Sequence, residues 1–239
     1  MTWELGEITA VILAGGLGTR LRPVITNCPK CLAEVNGKPF LTFLLNQIAF
    51  TGIKHVVLCI GHLGEQVKST FGTNYRNLSL EYSQETELLG TGGALRLALP
   101  LLKSRTVLVL NGDSYCDLNL EDFWHWHNQQ HTPVSLALAM VENVSRYGQV
   151  RTNDDGRVTE FVEKGQAQGA GWINAGIYLL DYSMITFIPD GQVISLEKDI
   201  FPNWIQKGLS GYRSPGRLLD IGTPESYAQA ELFFAEEIA

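Results

Sequence analysis

Three glycines, two arginines and one lysine near the start of the chain have the types and spacing of a loop that binds phosphate groups. They are Gly15, Gly16, Gly18, Arg20, Arg22 and Lys30. Glycine adopts backbone angles that other residues avoid, and successive peptide N–H groups in such a loop can converge on an anion. Arginine binds phosphate oxygens in a bidentate manner, and Pro29 restricts the backbone just before the lysine. The pattern predicts a polyphosphate-binding loop, with a ligand-free glycine-rich turn as the alternative.

Two aspartates each follow a short apolar run, and both could bind a metal ion. Asp113 ends the run VLVLNGD, and Asp220 lies in RLLDIGTP. Mg²⁺ prefers oxygen ligands and shares them with phosphates, so a magnesium ion on both carboxylates would connect them to an α-phosphate. A turn that ends a strand is the alternative for Asn-Gly-Asp. We therefore expect Mg²⁺ as the cofactor.

The order of these residues resembles the sugar-1-phosphate nucleotidylyltransferases. The run G-G-x-G-T-R-L-R-P followed by P-K carries the resemblance, which extends from Ala10 to about Tyr227. Two other phosphate-binding patterns fail, because Leu21 replaces the third glycine of G-x-G-x-x-G and G-x-x-x-x-G-K-[ST] is absent. The runs N-G-K-P-F and L-G-T-G-G-A look most like D-glycero-α-D-manno-heptose 1-phosphate guanylyltransferases and mannose-1-phosphate guanylyltransferases.

The resemblance implies a set of residues on the nucleotide side. Arg20 would hold the departing pyrophosphate, Lys30 would brace the α-phosphate, and Asp113 would bind the metal together with Asp220. Gln84 and Glu85 would contact the edge of the base. The implied nucleotide-binding residues are Leu13, Ala14, Gly15, Gly16, Gly18, Thr19, Arg20, Gln84, Glu85, Gly90, Thr91 and Gly112. For the second glycine loop, at 90–93, a tight turn into a helix is the alternative.

A second implied set would bind the sugar phosphate. Its members are Tyr147, Gly148, Glu163, Lys164, Asn174 and Glu197. Each has an alternative interpretation: a surface ion pair for Glu163 and Lys164, a strand bulge for 174–176, and an acidic residue at a helix start for Glu197. The family usually has Pro-Lys-Pro where this chain has Pro-Lys-Cys, so Cys31 removes a rigid backbone angle beside Lys30.

Composition excludes several other classes of protein. The chain has 239 residues, a formal net charge of −7 and no run of basic residues, so we expect no nucleic-acid partner. No apolar stretch is long enough to cross a bilayer, and the N-terminus lacks the basic region of a secretion signal. We expect a cytoplasmic protein with no membrane partner, as a monomer or a small homo-oligomer.

The positions of strands and helices favour an α/β fold. Up to about residue 130 the two alternate, which predicts a mostly parallel mixed sheet flanked by helices on both faces. This agrees with the Rossmann-like nucleotide-diphospho-sugar transferase fold that the resemblance implies. The predicted strands of this half are 10–13, 55–60, 78–82 and 106–110, and the predicted helices are 40–50, 64–71, 93–102, interrupted at Pro100, and 120–130. A further strand is predicted at 134–141, just after this half.

The second half has more turn residues between its strands. The predicted strands are 148–152, 157–163, 173–180, 209–213 and 217–220, and the predicted helices are 195–206, with a break at Pro202, and 224–237. We predict one domain over 1–239, with a nucleotide-binding half at about 8–130 and a sugar-binding half at about 131–239. Ligands of open α/β sheets bind outside the carboxyl ends of the strands, so the glycine loops and both aspartates should meet at that edge.

The four cysteines do not predict a metal or redox site. Cys28 and Cys31 form a single C-x-x-C, and no second pair completes a zinc site. Cys59 and Cys116 lie in or beside apolar strands and are expected in the core. On the predicted helix 120–130, His125 and His127 are two residues apart and so face different directions.

The residues together predict a nucleotidyltransferase. A sugar 1-phosphate would attack the α-phosphorus of a nucleoside triphosphate, giving a nucleotide sugar for surface polysaccharide synthesis, and pyrophosphate. The resemblance favours GTP with a heptose or mannose 1-phosphate, and uridylyl, thymidylyl or cytidylyl transfer to another hexose 1-phosphate is the alternative. A glycosyltransferase would carry a D-x-D motif, which Asp113-Ser114-Tyr115 lacks. A non-catalytic nucleotide-sugar-binding regulator would not need Lys30 together with both aspartates.

Overall fold

The computed structural model describes residues 4–21, 23–25 and 27–235, which contain fourteen strands, eight of them in one mixed sheet and six in three two-stranded sheets. The strands in chain order are β1 (Thr9–Leu13), β2 (Glu34–Val35), β3 (Lys38–Pro39), β4 (His55–Ile60), β5 (Asn74–Tyr75), β6 (Leu78–Gln84), β7 (Thr106–Asn111), β8 (Ser114–Cys116), β9 (Val134–Val141), β10 (Gln149–Thr152), β11 (Val158–Val162), β12 (Gly171–Asp181), β13 (Leu209–Ser214) and β14 (Leu218–Asp220).

The large sheet has the order β13-β9-β12-β7-β1-β4-β6-β5. β1 runs parallel to both β4 and β7, and β4 runs parallel to β6. β12 runs antiparallel to β7 and to β9, so its beginning lies at the edge where β1, β4, β6 and β7 end. The predicted mixed, mostly parallel sheet is confirmed.

Helices cover both faces of this sheet, as predicted. In chain order they are α1 (Leu41–Ala49), α2 (Gly64–Phe71), α3 (Gly90–Leu97), α4 (Leu120–Gln130), α5 (Tyr182–Thr186), α6 (Phe201–Gly208), α7 (Pro224–Tyr227) and α8 (Ala230–Ala235). Alternate residues of β1 point to opposite faces, since Ala10 and Ile12 belong to the core beneath α1, α2, α4 and α8, and Val11 belongs to the core beneath α3, α5 and α6. Strands buried on both sides in this way explain the nearly continuous apolar runs in the sequence.

Four predicted elements have the observed bounds: β4, α2, α4 and β9. β6 continues two residues past the predicted end at 82, and α3 begins at Gly90 instead of 93. α3 ends at Leu97, five residues before the predicted end at 102, and a short 3-10 helix, Leu99–Leu101, follows it with Pro100 in its first turn. Within the described residues, no helix is both long enough and apolar enough to cross a membrane.

Two helix predictions in the second half are wrong in detail. In place of one helix over 195–206, a short π-helix, Leu196–Ile200, leads into α6. Pro202 lies in the first turn of α6, where a missing backbone N–H is tolerated, so it starts this helix and does not break it. The single closing helix over 224–237 is two short helices, α7 and α8, and residues 236 and 237 lie outside the described part of the chain.

Candidate active site

Two adjoining cavities open at the edge of the sheet where β1, β6 and β7 end. The first cavity has a volume of about 220 Å³ and the second about 440 Å³, and Asn111 and Asp113 line both. Of the residues expected to bind nucleotide or phosphate, the first cavity is lined by Leu13, Ala14, Gly15, Gly16, Lys30, Glu85, Gly90, Thr91, Gly112 and Asp113. The second cavity is lined by Arg20, Asp113, Tyr147, Gly148, Glu163, Lys164, Asn174, Glu197 and Asp220.

Three expected residues lie elsewhere. Gly18 lines a third cavity of about 330 Å³, together with Lys30 and His62. Thr19 and Gln84 line neither of the first two cavities, and Gln84 Oε1 accepts a hydrogen bond of 2.7 Å from Lys68 Nζ. Arg22, expected to add a second guanidinium, lies outside the described residues.

Asp113 and Asp220 are brought together by a small two-stranded antiparallel sheet that the sequence pattern did not predict. β8 pairs antiparallel with β14, which places Ser114 opposite Asp220. The backbone N–H of Ile221 donates to the carbonyl of Asp113 at 3.0 Å. The two carboxylates are therefore held side by side, although about a hundred residues separate them in the chain.

Lys30 reaches this pair of carboxylates from the glycine-loop side. It begins a short 3-10 helix, Lys30–Leu32, in which Cys31 is buried. Lys30 Nζ lies 2.7 Å from Asp113 Oδ2 and 4.0 Å from Asp220 Oδ1. Burial of Cys31 thus holds this turn in place. Lys30 contacts both aspartates although the residue after it is not the proline that the family usually has.

The charge state of Asp220 reflects this crowding. Burial raises the pKa of Asp220, and the nearby Asp113 carboxylate raises it further. Lys30, the backbone N–H of Gly222 and Arg20 act in the opposite direction and lower that pKa. The Gly222 N–H donates to Asp220 Oδ1 at 2.6 Å. Positive charge at this point therefore favours the ionised carboxylate.

The two carboxylates fit a magnesium ion that takes its other ligands from substrate phosphates and water. Among the described residues, no group of three or more His, Cys, Asp or Glu side chains could enclose a metal ion. Mg²⁺ is typically held by one or two carboxylates, with phosphate oxygens and water completing its octahedral shell. Asp113 and Asp220 supply that number of carboxylates at the junction of the two cavities.

Glu85 supports the first glycine loop as well as lining the first cavity. A Cβ atom at Gly15 would lie 2.3 Å from Glu85 Oε1, and one at Gly61 would lie 2.7 Å from it, so this carboxylate packs directly on both glycines. Glu85 Oε2 accepts a hydrogen bond from the backbone N–H of Leu89 at 3.0 Å. Burial raises the pKa of Glu85, and the Leu89 N–H lowers it. Glu85 therefore joins the first glycine loop to the segment that enters the second.

The second glycine loop, at 90–93, is also the start of α3. Gly90 and Thr91 therefore belong to the tight turn into a helix and also line the first cavity, where a nucleotide is expected. Gly90 has φ +71, and a Cβ there would lie 2.5 Å from the carbonyl oxygen of Ile194. The N–H of Gly92 donates to that carbonyl at 2.8 Å. Glycine is required here because another backbone segment approaches closely and because the backbone is left-handed.

The far wall of the second cavity comes from β10 and β11. Gly148 has φ +83, and a Cβ there would lie 2.9 Å from the carbonyl of Val162, so the turn before β10 packs against the end of β11. Glu163 and Lys164 follow β11 and are exposed. The described contacts include no ion pair between them, which leaves both charges available to a ligand.

Asn174 lies at a strand irregularity on the same cavity. The pairing of β12 with β9 shifts between Asn174 and Tyr178, and Gly176 has φ +76. Asn174 Oδ1 accepts from the N–H of Gly176 at 2.9 Å. The bulge alternative is therefore confirmed, and bulges of this kind commonly redirect side chains beside active sites.

Two residues of this region were missed by the sequence analysis: Asn111 at the end of β7, and Tyr178 on β12. Tyr178 lies in the apolar run GIYLL and is fully buried. A tyrosine hydroxyl in such a run requires hydrogen-bond partners, and that requirement was the available signal. Its partners include Asn111 and Asn174.

The cysteines and histidines have mostly structural positions. Cys59 and Cys116 are buried as predicted, and all four cysteines are free. Burial raises the pKa of the Cys31 thiol to about 12, with the nearby Cys28 as a further cause, so this thiol is unreactive near neutral pH. His127 is buried and its Nδ1 lies 2.8 Å from Ser135 Oγ, whereas His125 is exposed.

Comparison with known proteins agrees with this geometry. The family described as Nucleotidyl transferase matches residues 9–237. The D-glycero-alpha-D-manno-heptose 1-phosphate guanylyltransferase of Aneurinibacillus thermoaerophilus is 35% identical over 223 residues, which are 93% of this chain and 96% of that protein. The mannose-1-phosphate guanylyltransferase of Mycobacterium tuberculosis is 34% identical over 98% of this chain, which spans 66% of that protein's length.

The structure is similar to that of HddC from Yersinia pseudotuberculosis, with a TM-score of 0.84 and 32% identity over 95% of this chain and 99% of that one. A second structure of HddC, complexed with GMP-PN, has a TM-score of 0.82. The resemblance that the glycine loop and the Pro-Lys pair indicated is confirmed at the level of the family. Because the family model matches residues 9–237 and both relatives align over more than nine tenths of the chain, the chain belongs to the nucleotidyl transferase family.

Proposed function

We propose that this protein transfers a nucleotidyl group from a nucleoside triphosphate to a sugar 1-phosphate, with GTP as the nucleotide and a heptose or mannose 1-phosphate as the acceptor. One observation carries the proposal: Lys30, Asp113 and Asp220 meet where the two cavities join, within 4.0 Å of the lysine ammonium. The names of the relatives, and the GMP-PN with which HddC is complexed, support the choice of guanosine and of these two sugars.

The two cavities suit two phosphorylated substrates. The first, lined by both glycine loops, would hold the nucleotide, and the second, lined by Glu163 and Lys164, would hold the sugar phosphate. An oxygen of the sugar phosphate forms a bond to the α-phosphorus as the bond from that phosphorus to the bridging oxygen breaks. Pyrophosphate takes the electron pair of the broken bond. Residues at the junction align the two anions and neutralise their charge.

Each basic side chain has a separate place in this scheme. Lys30 lies at the junction and would brace the α-phosphate, and Lys164 would hold the incoming phosphate. Arg20 lines the second cavity beside Asp220 and would stabilise the charge of the departing pyrophosphate. When bound by Asp113 and Asp220, Mg²⁺ would supply Lewis-acid charge neutralisation.

The reaction does not require a general base, since the attacking phosphate is already an anion near neutral pH. This agrees with the site, because among the described residues no histidine lines either of the first two cavities. We expect the substrates to be the only partners, as no nucleic acid or membrane is predicted from the sequence. The cytoplasmic location and the monomer or small homo-oligomer also stay predictions.

A pyrophosphate-release screen tests the proposal. The purified protein would be mixed with Mg²⁺, one of five nucleoside triphosphates (GTP, ATP, UTP, CTP or dTTP) and one sugar 1-phosphate from a panel of heptose, mannose and glucose derivatives. The expected result is pyrophosphate together with a GDP-sugar, detected by mass spectrometry, for GTP with heptose or mannose 1-phosphate. A preference for another base contradicts the guanosine assignment alone.

Two other outcomes contradict the whole proposal. Nucleotide binding with no pyrophosphate from any pair would favour a non-catalytic regulator. Sugar transfer to an acceptor without pyrophosphate would favour a glycosyltransferase. The double variant Asp113→Asn, Asp220→Asn is the control, because it keeps the shape of both side chains and removes the two charges that would bind the metal.

A further inference from the structure

A buried tyrosine hydroxyl lies between the two cavities. Tyr178 on β12 has no exposed surface, and its ring packs edge-on against Phe201 with 4.9 Å between ring centroids. Its hydroxyl donates to Glu197 Oε1 at 3.0 Å and accepts from Asn174 Nδ2 at 3.0 Å and from Asn111 Nδ2 at 3.3 Å. A phenol has one donor and two acceptor sites, so this hydroxyl has all its hydrogen-bonding capacity in use.

Glu197 extends the same network to the second glycine loop. Its Oε2 accepts from Thr91 Oγ1 at 2.7 Å and from Ser195 Oγ at 2.8 Å. Thr91 Oγ1 in turn accepts from the backbone N–H of Leu196 at 2.8 Å. The Glu197 carboxylate thus receives three protein hydroxyl groups, which favours a structural link over an open grip on a sugar.

The network connects one residue of each part of the site. Thr91 lines the first cavity, Asn174 lines the second, and Asn111 lines both and is two residues from Asp113. Each is held, directly or through Glu197, by the Tyr178 hydroxyl. Buried hydrogen bonds restrain the groups that they join, and an unpaired buried group costs free energy. Within the described residues, Asn111 Oδ1 is buried without a partner, so the bond from Asn111 Nδ2 to Tyr178 is the hydrogen bond that holds this amide.

We propose that Tyr178, acting with Glu197, is a positioning residue that couples the first cavity to the second, so that nucleotide bound in one increases the affinity of the other for the sugar phosphate. The inference rests on the proposed function. Tyr178 is not a catalytic residue, because its hydroxyl is enclosed by protein groups. A ligand that fixes Thr91 also fixes Glu197 and Tyr178, and through them the amides of Asn174 and Asn111.

The variant Tyr178→Phe removes the hydroxyl and keeps the ring against Phe201. Tyr75→Phe is a matched control, since it loses one partly buried hydroxyl bond, to Asn46 Oδ1 at 2.9 Å, outside both cavities. The measurement is the dissociation constant of a non-hydrolysable GTP analogue by calorimetry, without and with saturating mannose 1-phosphate. Steady-state kcat and both KM values, and the melting temperature, are measured on the same samples.

We expect the sugar phosphate to tighten binding of the analogue at least about 5-fold in the wild type and in Tyr75→Phe, within the usual range of coupling between sites. In Tyr178→Phe this ratio should fall to about 1, and kcat should fall about 10-fold. Tyr75→Phe should show neither change, even if it lowers the melting temperature by the same amount. A merely structural role would lower the melting temperature of Tyr178→Phe and leave the coupling ratio unchanged.

A second variant keeps the test decisive if Tyr178→Phe does not fold. Glu197→Gln keeps the side-chain shape but replaces one accepting oxygen with an NH₂ group, and it should lower the same ratio. Coupling of wild-type size in the variants, or no coupling in the wild type, overturns the inference. Normal turnover with unchanged coupling overturns this inference only, whereas a wild type that releases no pyrophosphate from any substrate pair overturns the proposed function.

Discussion

The ammonium group of Lys30 lies between the carboxylates of Asp113 and Asp220, at 2.7 Å from Asp113 Oδ2 and 4.0 Å from Asp220 Oδ1. Only 11% of the lysine side chain is exposed, so the contact is partly shielded from solvent. A divalent cation and an α-phosphate would both use this space. Lys30 would therefore compete with the cation for the carboxylates and would attract the phosphate.

Replacement of Lys30 by glutamine should have opposite effects on metal binding and on turnover. Without the ammonium group, the two carboxylates repel each other without a counter-ion, so the free protein should bind Mn²⁺ more tightly. Turnover should fall about 10²–10³-fold, by analogy with other lost electrostatic contacts. Titration of free Mn²⁺ by electron paramagnetic resonance measures the first effect and pyrophosphate release measures the second.

Lys164→Gln is the control for metal binding, since it removes a charge from the second cavity at a residue with no ion pair to either aspartate among the described contacts. Mn²⁺ affinity that rises equally in both variants would mean that the effect is general charge removal. Near-normal turnover of Lys30→Gln would contradict the role of Lys30 on the phosphate.

Gly90→Ala should weaken nucleotide binding more than its backbone strain explains. The added Cβ lies 2.5 Å from the Ile194 carbonyl, so the second glycine loop must move away from residue 194. Gly72→Ala is matched to it, because Gly72 also has a positive φ, of +60, but has open space where its Cβ would be. An alanine at positive φ is strained in both variants, and at Gly72 the strain is not the smaller one, because φ +60 with ψ −146 is a conformation that is essentially restricted to glycine. The KM for the nucleotide should rise at least about 10-fold in Gly90→Ala alone, and equal KM values in the two variants would contradict the prediction.

Lys164→Gln should act on the sugar phosphate and not on the nucleotide. Lys164 is exposed on the wall of the second cavity, where its charge has no protein partner among the described ion pairs. A charged hydrogen bond to a phosphate contributes about 1.5–3 kcal/mol, so KM for the sugar 1-phosphate should rise about 10-fold or more. Lys207→Gln, on the surface of α6 beside Trp204, is the control. A larger change in the KM for the nucleotide than in the KM for the sugar 1-phosphate would show that Lys164 does not act on the sugar phosphate.

Stability should fall on acidification because of His127. Burial lowers the pKa of His127 from 6.5 to about 4, with Asp181 acting in the opposite direction. Between these values the unfolded chain binds a proton that the folded protein does not, so the free energy of unfolding decreases as the pH falls from 6.5 toward 4. The slope from this one group is at most about 1.4 kcal/mol per pH unit.

Urea denaturation at several pH values checks this prediction in the wild type and in His127→Gln, which should have a flatter profile. His125→Gln changes an exposed histidine of the same helix and should leave the profile as it is. The same slope in all three proteins would show that other groups cause the acid sensitivity.

The sequence predicted what depends on local pattern. Apolar runs and turn residues indicated the sheet strands and most helices, and the glycine loop and Pro-Lys pair indicated the family. The β8–β14 pairing was not predictable, because each strand has three residues and nothing in either run specifies its partner. The contacts of Tyr178 were missed for a similar reason. They join residues as far as 67 positions apart, through hydroxyl and amide groups with no period in the sequence.

The late position of Asp220 has a consequence for how the protein is made. A growing chain contains Lys30 and Asp113 more than a hundred residues before β14 is synthesised, and β8 has its partner strand only then. Because a domain generally folds as a unit, the cation site can be completed only when β14 is available to pair with β8. Activity should therefore appear only after β14 has left the exit tunnel, however early the first part of the sheet folds.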